Sequence, residues 1–525
     1  MRCFTRWVIL VWACAGLTYS QQIPGAALQK LGEVDPHSLS HSNKGLGTVY
    51  SHAVLLPDSE SELFLKDKLR SQAPGGGGGG AGKNKVPAAT TGGQNEGLLV
   101  DTGFDGLALS DTPGYVPPDS QIAVGVNSGT LTSVEMVNGT IRITDTSAHD
   151  FYLCDLFFCD FFTAVISDPI VIYDPPSDRW FASVVTIQYV IQGALLKPVG
   201  QWRLAVSQGS DPMGAWNVYG VTMSDGTFPD FPKLGISSDK VVQTGDAFTV
   251  STSRYKGTEF GVLSKQDVMD GVPTPGFQFF GPNQGGFAIA SVRTSNSDLH
   301  MVALGGAGTS NSIRIWKLEG VPTTSGTGVT ATVSNVSVAT FATPPNAPQA
   351  GSTQLIDTNG PWLVGAAFDD NTQSMWVSGA GGCIPTGDTT ARSCLRLVKL
   401  SLAGSPAVLQ DITFGQPEKY FYYPAVSFDA NGNLIAVFNM SSANDYIGVY
   451  AGGQVQASPG TFQNPVTLKA GETTYTITPP RWGDYSGASI DPRVGHTNVW
   501  LVGEYAQGAP GSDQWGTWVG SVHFP

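Results

Sequence analysis

The chain has 525 residues, long enough for several domains. Only 13% are charged and 65 are glycine, a balance that argues against a helical protein and for a turn-rich, all-β one. Lys and Arg number 28 against 42 Asp and Glu, a net charge of -14, and no basic cluster is present, which excludes nucleic acid as a partner.

The N-terminus reads as an export signal over residues 1–20. Arg2 and Arg6 precede an apolar stretch too short to span a bilayer, and Thr18 and Ser20 suit cleavage before Gln21. A lipoprotein site at Cys14 is the rival reading, with Trp12 a poor fit to it. No later stretch is long and apolar enough for a membrane helix, so the expected product is secreted. Residues 21–97 read as a leader, largely disordered. Ser59-Glu60-Ser61-Glu62 opens one short helix by a capping box, and the glycine run 75–80 is a flexible linker. That run is no phosphate loop, because Lys83 is followed by neither Ser nor Thr.

Residues 98–525 read as one domain. Residues 98–109 form a strand that would close a ring against the C-terminus. Then a plan recurs: a polar residue, a short small-residue strand, a tight turn and a second apolar strand. Its clearest copy runs from Asp168 through Ile170, Val171, Ile172 and Tyr173, turns at Asp174-Pro175-Pro176-Ser177-Asp178, and returns through Trp180, Phe181, Ala182 and Val184. Further copies start at Asp119, Asp230, Gly286, Trp362, Tyr423 and Asp484. Most are followed by a third strand, beginning at Trp202, Glu259, Ile313, Leu395, Tyr446 and Thr517. A repeat of about 50 to 75 residues with three or four strands predicts a seven-bladed β-propeller with a flexible N-terminal leader. A large β-sandwich is the competing architecture.

The six cysteines fit export. Cys3 and Cys14 lie in the signal, and Cys154/Cys159 and Cys383/Cys394 are two close pairs, expected as disulfides. His149 near the first pair leaves a zinc set incomplete.

Several motifs then stand out: Pro117-Pro118-Asp119, Asp168-Pro169, Asp178-Arg179-Trp180, Asp211-Pro212-Met213-Gly214, Phe228-Pro229-Asp230-Phe231-Pro232-Lys233 and Arg481-Trp482-Gly483-Asp484-Tyr485-Ser486. In this order the chain resembles a family of secreted, mostly bacterial β-propeller proteins of unassigned activity. The resemblance implies fold and export, and no reaction. The Ser-x-Asp-x-Gly-x-x-Trp turns of sialidase-like propellers are missing.

In a propeller the segments before the inner strands gather at one mouth of the channel. That set is Asp119, Asp168, Asp230, Lys233, Tyr423, Arg481, Trp482, Asp484 and Tyr485. Carboxylates with Arg, Lys and aromatics are what a sugar-binding funnel uses. The first reading is therefore a binding or scaffold module for a polysaccharide or a cell-surface protein. The second is a carbohydrate-active enzyme. Asp168, Asp230 and Asp484 would supply acid and base for a hydrolase, or Tyr423 or Tyr485 the base and Arg481 the uronate contact for a lyase. Against both stands a structural role, with each Asp capping loop N–H groups. No cofactor is required by any motif and no metal set is visible. Asp429-Ala430-Asn431-Gly432 lacks the glutamate of a full calcium loop and reads as an Asn-Gly hairpin turn, while calcium or another cation held by the Asp ring is left open. Ser486 is in no nucleophile elbow.

Overall fold

The computed structural model describes residues 21–23, 26–39, 54–55, 88–89, 97–159, 164–192, 195–223, 226–252, 254–282, 284–306, 309–477 and 481–525. The expected signal, the helix expected after Ser59 and the glycine run 75–80 lie outside the described residues.

Seven antiparallel sheets follow one another around a ring, as the repeat predicts. Their inner strands are Gln121–Asn127, Ala164–Asp174, Thr227–Ile236, Ala290–Ser291, Leu363–Asp369, Tyr420–Phe428 and Gly487–Ile490, and these define blades I to VII. Each inner strand touches the inner strands before and after it, and that of blade VII touches that of blade I. The fourth strand of blade VII comes from the other end of the domain: Leu99–Ala108 pairs with Gln514–His523. The ring is thus closed by hydrogen bonds between its first and last strands, which removes an open edge there.

Small residues let the blades converge. A Cβ on Gly125 would stand 2.5 Å from the Trp180 ring of blade II, and one on Gly487 would stand 2.7 Å from the Ile122 nitrogen of blade I. Further out, apolar clusters fill the wedges between neighbours, and Trp180, Trp202, Trp216, Trp316 and Trp376 are 0–2% exposed within them. These rings act as inter-blade packing rather than sugar platforms. The inner cluster at the seam between blades VII and I is small: Ile122, Val124, Val502 and Val519, with Leu131 and Trp500 against it.

The upper face is where the inner strands begin. There Asp119, Asp168, Phe231, Ala288 and Tyr423 all take left-handed backbone angles, with φ of 51–54°. The register slips at the same points, between Ser167 and Ile170, Asp230 and Lys233, and Tyr422 and Ala425. Such bulges bend the strand and re-aim the side chains around them.

Both expected disulfides form, Cys154–Cys159 and Cys383–Cys394. Among the described residues no helix is long and apolar enough to cross a membrane. Part of the stretch read as leader is built into the ring: Ala26–Val34 pairs with Trp216–Met223 at the outer edge of blade II. Pro36 and Leu39 continue it into an apolar slot formed by Ile141, Phe151, Leu156 and Trp216.

Candidate functional site

The residues expected to converge at the upper face do so, from blades that are distant in sequence. The Asp484 N–H donates to Asp119 Oδ1 at 2.9 Å, and Asn138 Nδ2 donates to Asp119 Oδ2 at 2.6 Å. Asn138 Oδ1 in turn accepts from the Asp168 N–H at 2.8 Å. Tyr485 OH donates to Asp168 Oδ2 at 2.9 Å, and Arg481 Nη2 to Asp484 Oδ2 at 3.0 Å. Lys233 Nζ lies 3.4 Å from the centre of the Tyr485 ring. One network therefore joins blades I, II, III and VII. Three other candidates make further bonds. Tyr423 donates to the Asp357 carbonyl, Trp482 to Asn439, and Asp230 accepts from the next N–H, that of Phe231.

This cluster is enclosed. Asp119 is 2% exposed, Asp484 5%, Arg481 7% and Asp168 9%, with Lys233 half-buried. Burial drives its electrostatics. It pushes the Asp119 carboxyl well up, helped by Asp484 and Asp168 and opposed by Arg481 and the Asn138 hydrogen bond. Burial pulls Lys233 down to about 7, against the pull of Asp168, Asp484, Asp119 and Asp246. The Tyr485 phenol is raised well above its ordinary value by burial and the same carboxylates, so it stays a donor. Glu504 was not singled out from sequence. It sits 0% exposed on the second strand of blade VII, and burial plus Asp119 and Asp484 raise its carboxyl well up. A glutamate directly after the apolar run Val499-Trp500-Leu501-Val502-Gly503 and before Tyr505 was the available signal. Asn138, in the turn before the third strand of blade I, was not singled out either.

Aromatic rings close the axis at this level. Phe231 of blade III packs against Tyr485 of blade VII at 4.9 Å and Trp362 ahead of blade V at 6.3 Å, and Phe287 joins Trp362 at 4.8 Å.

An open cavity of about 410 Å³ lies on the axis toward the lower face, where the inner strands end. Ala123, Ile172, Ala367 and Ala488 form walls, and the turns of blades V and VI bring Asp369, Asp370, Asn371, Asp429 and Asn431. Arg293 is the one lysine or arginine among its lining residues, against three carboxylates, and lies 3.4 Å from Asp174 and 3.8 Å from Asp370. Asp429 is a turn cap: its Oδ1 accepts from the N–H groups of Asn431 and Asn433. Among the described residues no three His, Cys, Asp or Glu side chains are grouped to hold a metal ion. A second cavity, about 670 Å³, opens between blades IV and V.

No protein-family model and no curated protein matches the chain. Solved structures resemble it at low identity. A protein of unknown function from Dyadobacter fermentans is 9% identical over 78% of this chain and 100% of its own, with a TM-score of 0.32. The intramolecular trans-sialidase of Ruminococcus gnavus is 10% identical over 66% and 93%, with a TM-score of 0.34. The NanB sialidase of Streptococcus pneumoniae is 9% identical over 66% and 68%, with a TM-score of 0.36. At these TM-scores the likeness carries no weight for family, ligand or reaction, and the seven-bladed propeller stands on the strand pairing itself.

Proposed function

We propose that this chain is an exported binding module that takes an uncharged glycan in its axial cavity. The observation that carries the reading is the cavity itself. It is a cup of about 410 Å³ with a polar rim. Its size is that of a single-ligand site. Its rim offers carboxylate and amide groups suited to hydroxyls, and three carboxylates against one arginine disfavour an anionic ligand. Export rests on the N-terminal signal and the two disulfides. The test is a calorimetric screen of the purified chain against neutral and uronate-bearing oligosaccharides. Neutral sugars should bind, and Ala367→Trp, which fills the cup, should abolish binding. Binding that survives Ala367→Trp refutes the assignment.

A second reading is favoured by one observation. Lys233, pulled down to about 7, stands beside Tyr485 and Asp168, a pairing suited to proton transfer. An enzyme built on it would lose turnover in Lys233→Met while still binding in the cup. Turnover that survives Lys233→Met removes this reading.

A further inference from the structure

The two lower-face cavities are neighbours, and the chain passes directly from one to the other. In blade V, Asp370, Asn371 and Thr372 line the axial cup and the next residue, Gln373, lines the cavity between blades IV and V. In blade IV, Arg293 lines the cup and Asn296 the second cavity. These two turns are bonded to each other. The Ser295 N–H donates to Asp370 at 3.1 and 3.0 Å, and Asn296 Nδ2 donates to Gln373 Oε1 at 3.1 Å. Together they make a fixed sill between two hollows rather than two unrelated pockets.

The second hollow has the surface of a sugar site. Val333 and Pro406 offer apolar patches for the C–H face of a ring, and Thr332, Ser334 and Ser405 offer hydroxyls. Its one lysine, Lys317, is paired with Asp298 at 2.7 Å, so the lining brings no unbalanced charge. His300 in its wall is 7% exposed, and its Nδ1 has no hydrogen-bond partner in the structure. A neutral polyhydroxyl ligand matches this lining, and a uronate chain does not.

We infer that the ligand is a neutral oligosaccharide chain, seated at one end in the axial cup and running over the sill into the hollow between blades IV and V. This rests on the glycan reading above and extends it from a single sugar to a polymer segment. Each cavity is of single-ligand size, about 410 and about 670 Å³, so a chain filling both gains from each. Joining two sites in one ligand makes the second contact intramolecular.

The experiment is calorimetry on the full chain with linear β-1,4-glucan, α-1,4-glucan and β-1,4-xylan oligosaccharides of one to six units, and hexagalacturonate as the charged counterpart. For the series that binds, Kd should fall roughly tenfold or more between the dimer and the hexamer. Ser334→Trp and Ser405→Trp, on an outer strand and an exposed turn, should each erase that gain and leave dimer binding intact. Hexagalacturonate should not bind. A Kd independent of length, or a length gain that survives both tryptophans, overturns the extended site while leaving the cup standing. Silence from every sugar overturns the glycan reading, and this inference with it.

Discussion

The backbone N–H of Asp484 donates to the carboxylate of Asp119 at 2.9 Å, across the seam where the last blade meets the first. The apolar cluster in the inner part of that seam is small, and polar bonds add to the joint there. Gln121 donates to the Ser486 carbonyl, the Val124 N–H to Ser489, and Thr517 to the buried Glu135. Asp119→Ala would leave the Asp484 N–H and one of the two Asn138 amide hydrogens without an acceptor, the other staying on the Pro117 carbonyl. The expected cost is about 3 kcal/mol. Asp119→Asn, which keeps one acceptor oxygen, should cost less. Denaturant midpoints of the three chains check the order, and an unchanged midpoint for the alanine variant refutes it.

The strand Ala26–Val34 covers the outer edge of blade II, with Ala26 and Leu28 at 0% and 1% exposure. A chain that starts at residue 97 loses this cover and the Pro36 plug beside it. It should melt about 3 to 5 °C lower. It should also self-associate, because the Trp216–Met223 edge is then bare. Calorimetry and light scattering on both lengths decide this. Equal melting and a monomeric short chain would show that the strand contributes nothing.

Burial holds the His300 imidazole at about 4, below its ordinary 6.5, with Lys317 pushing the same way and Asp298 and Glu319 opposing. Between pH 6.5 and 4 the unfolded chain binds a proton that the folded chain does not. Stability therefore falls as pH drops through that window, by about 3 kcal/mol in full. His300→Phe keeps the ring that stacks on Phe368 and removes the titration. Melting curves from pH 7 to pH 4 should fall more steeply for the native chain than for this variant. Parallel curves would refute the assignment.

Three sequons differ in access. Asn138 and Asn439 are 0% exposed, and their amides donate to the Pro117 and Gly448 carbonyls at 2.8 and 3.0 Å. Asn335 is exposed on the outer strand of blade IV. Secreted from a glycosylating host, the folded chain should carry a glycan at Asn335 alone, as read by peptide mapping. A folded product bearing sugar at Asn138 or Asn439 contradicts the buried positions.

Much of the ring was legible because its parts are local. A turn such as Asp174-Pro175-Pro176-Ser177-Asp178 and the alternation on both sides of it specify a hairpin without help from the rest of the chain. The closing strand was legible as well, since residues 98–109 read as a strand with no partner nearby. The cysteine pairs, 5 and 11 residues apart, needed only chain geometry. The strand at Ala26–Val34 was not legible, because its pattern is weak and its partner lies about 190 residues downstream.

The sequence by itself determined the hairpins, their sevenfold recurrence and the set of polar residues that leads each inner strand. Those depend on turn chemistry and on apolar alternation over a few residues. Only the tertiary structure decided how far each end of the channel is filled. At the upper face Phe231, Trp362 and Tyr485 meet from three blades and fill the axis, and the polar cluster beside them becomes an enclosed inter-blade lock. At the lower face the turns of blades V and VI stay apart and leave the cup. Whether a mouth is plugged or open depends on the summed volume of side chains hundreds of residues apart, and no local pattern encodes that sum.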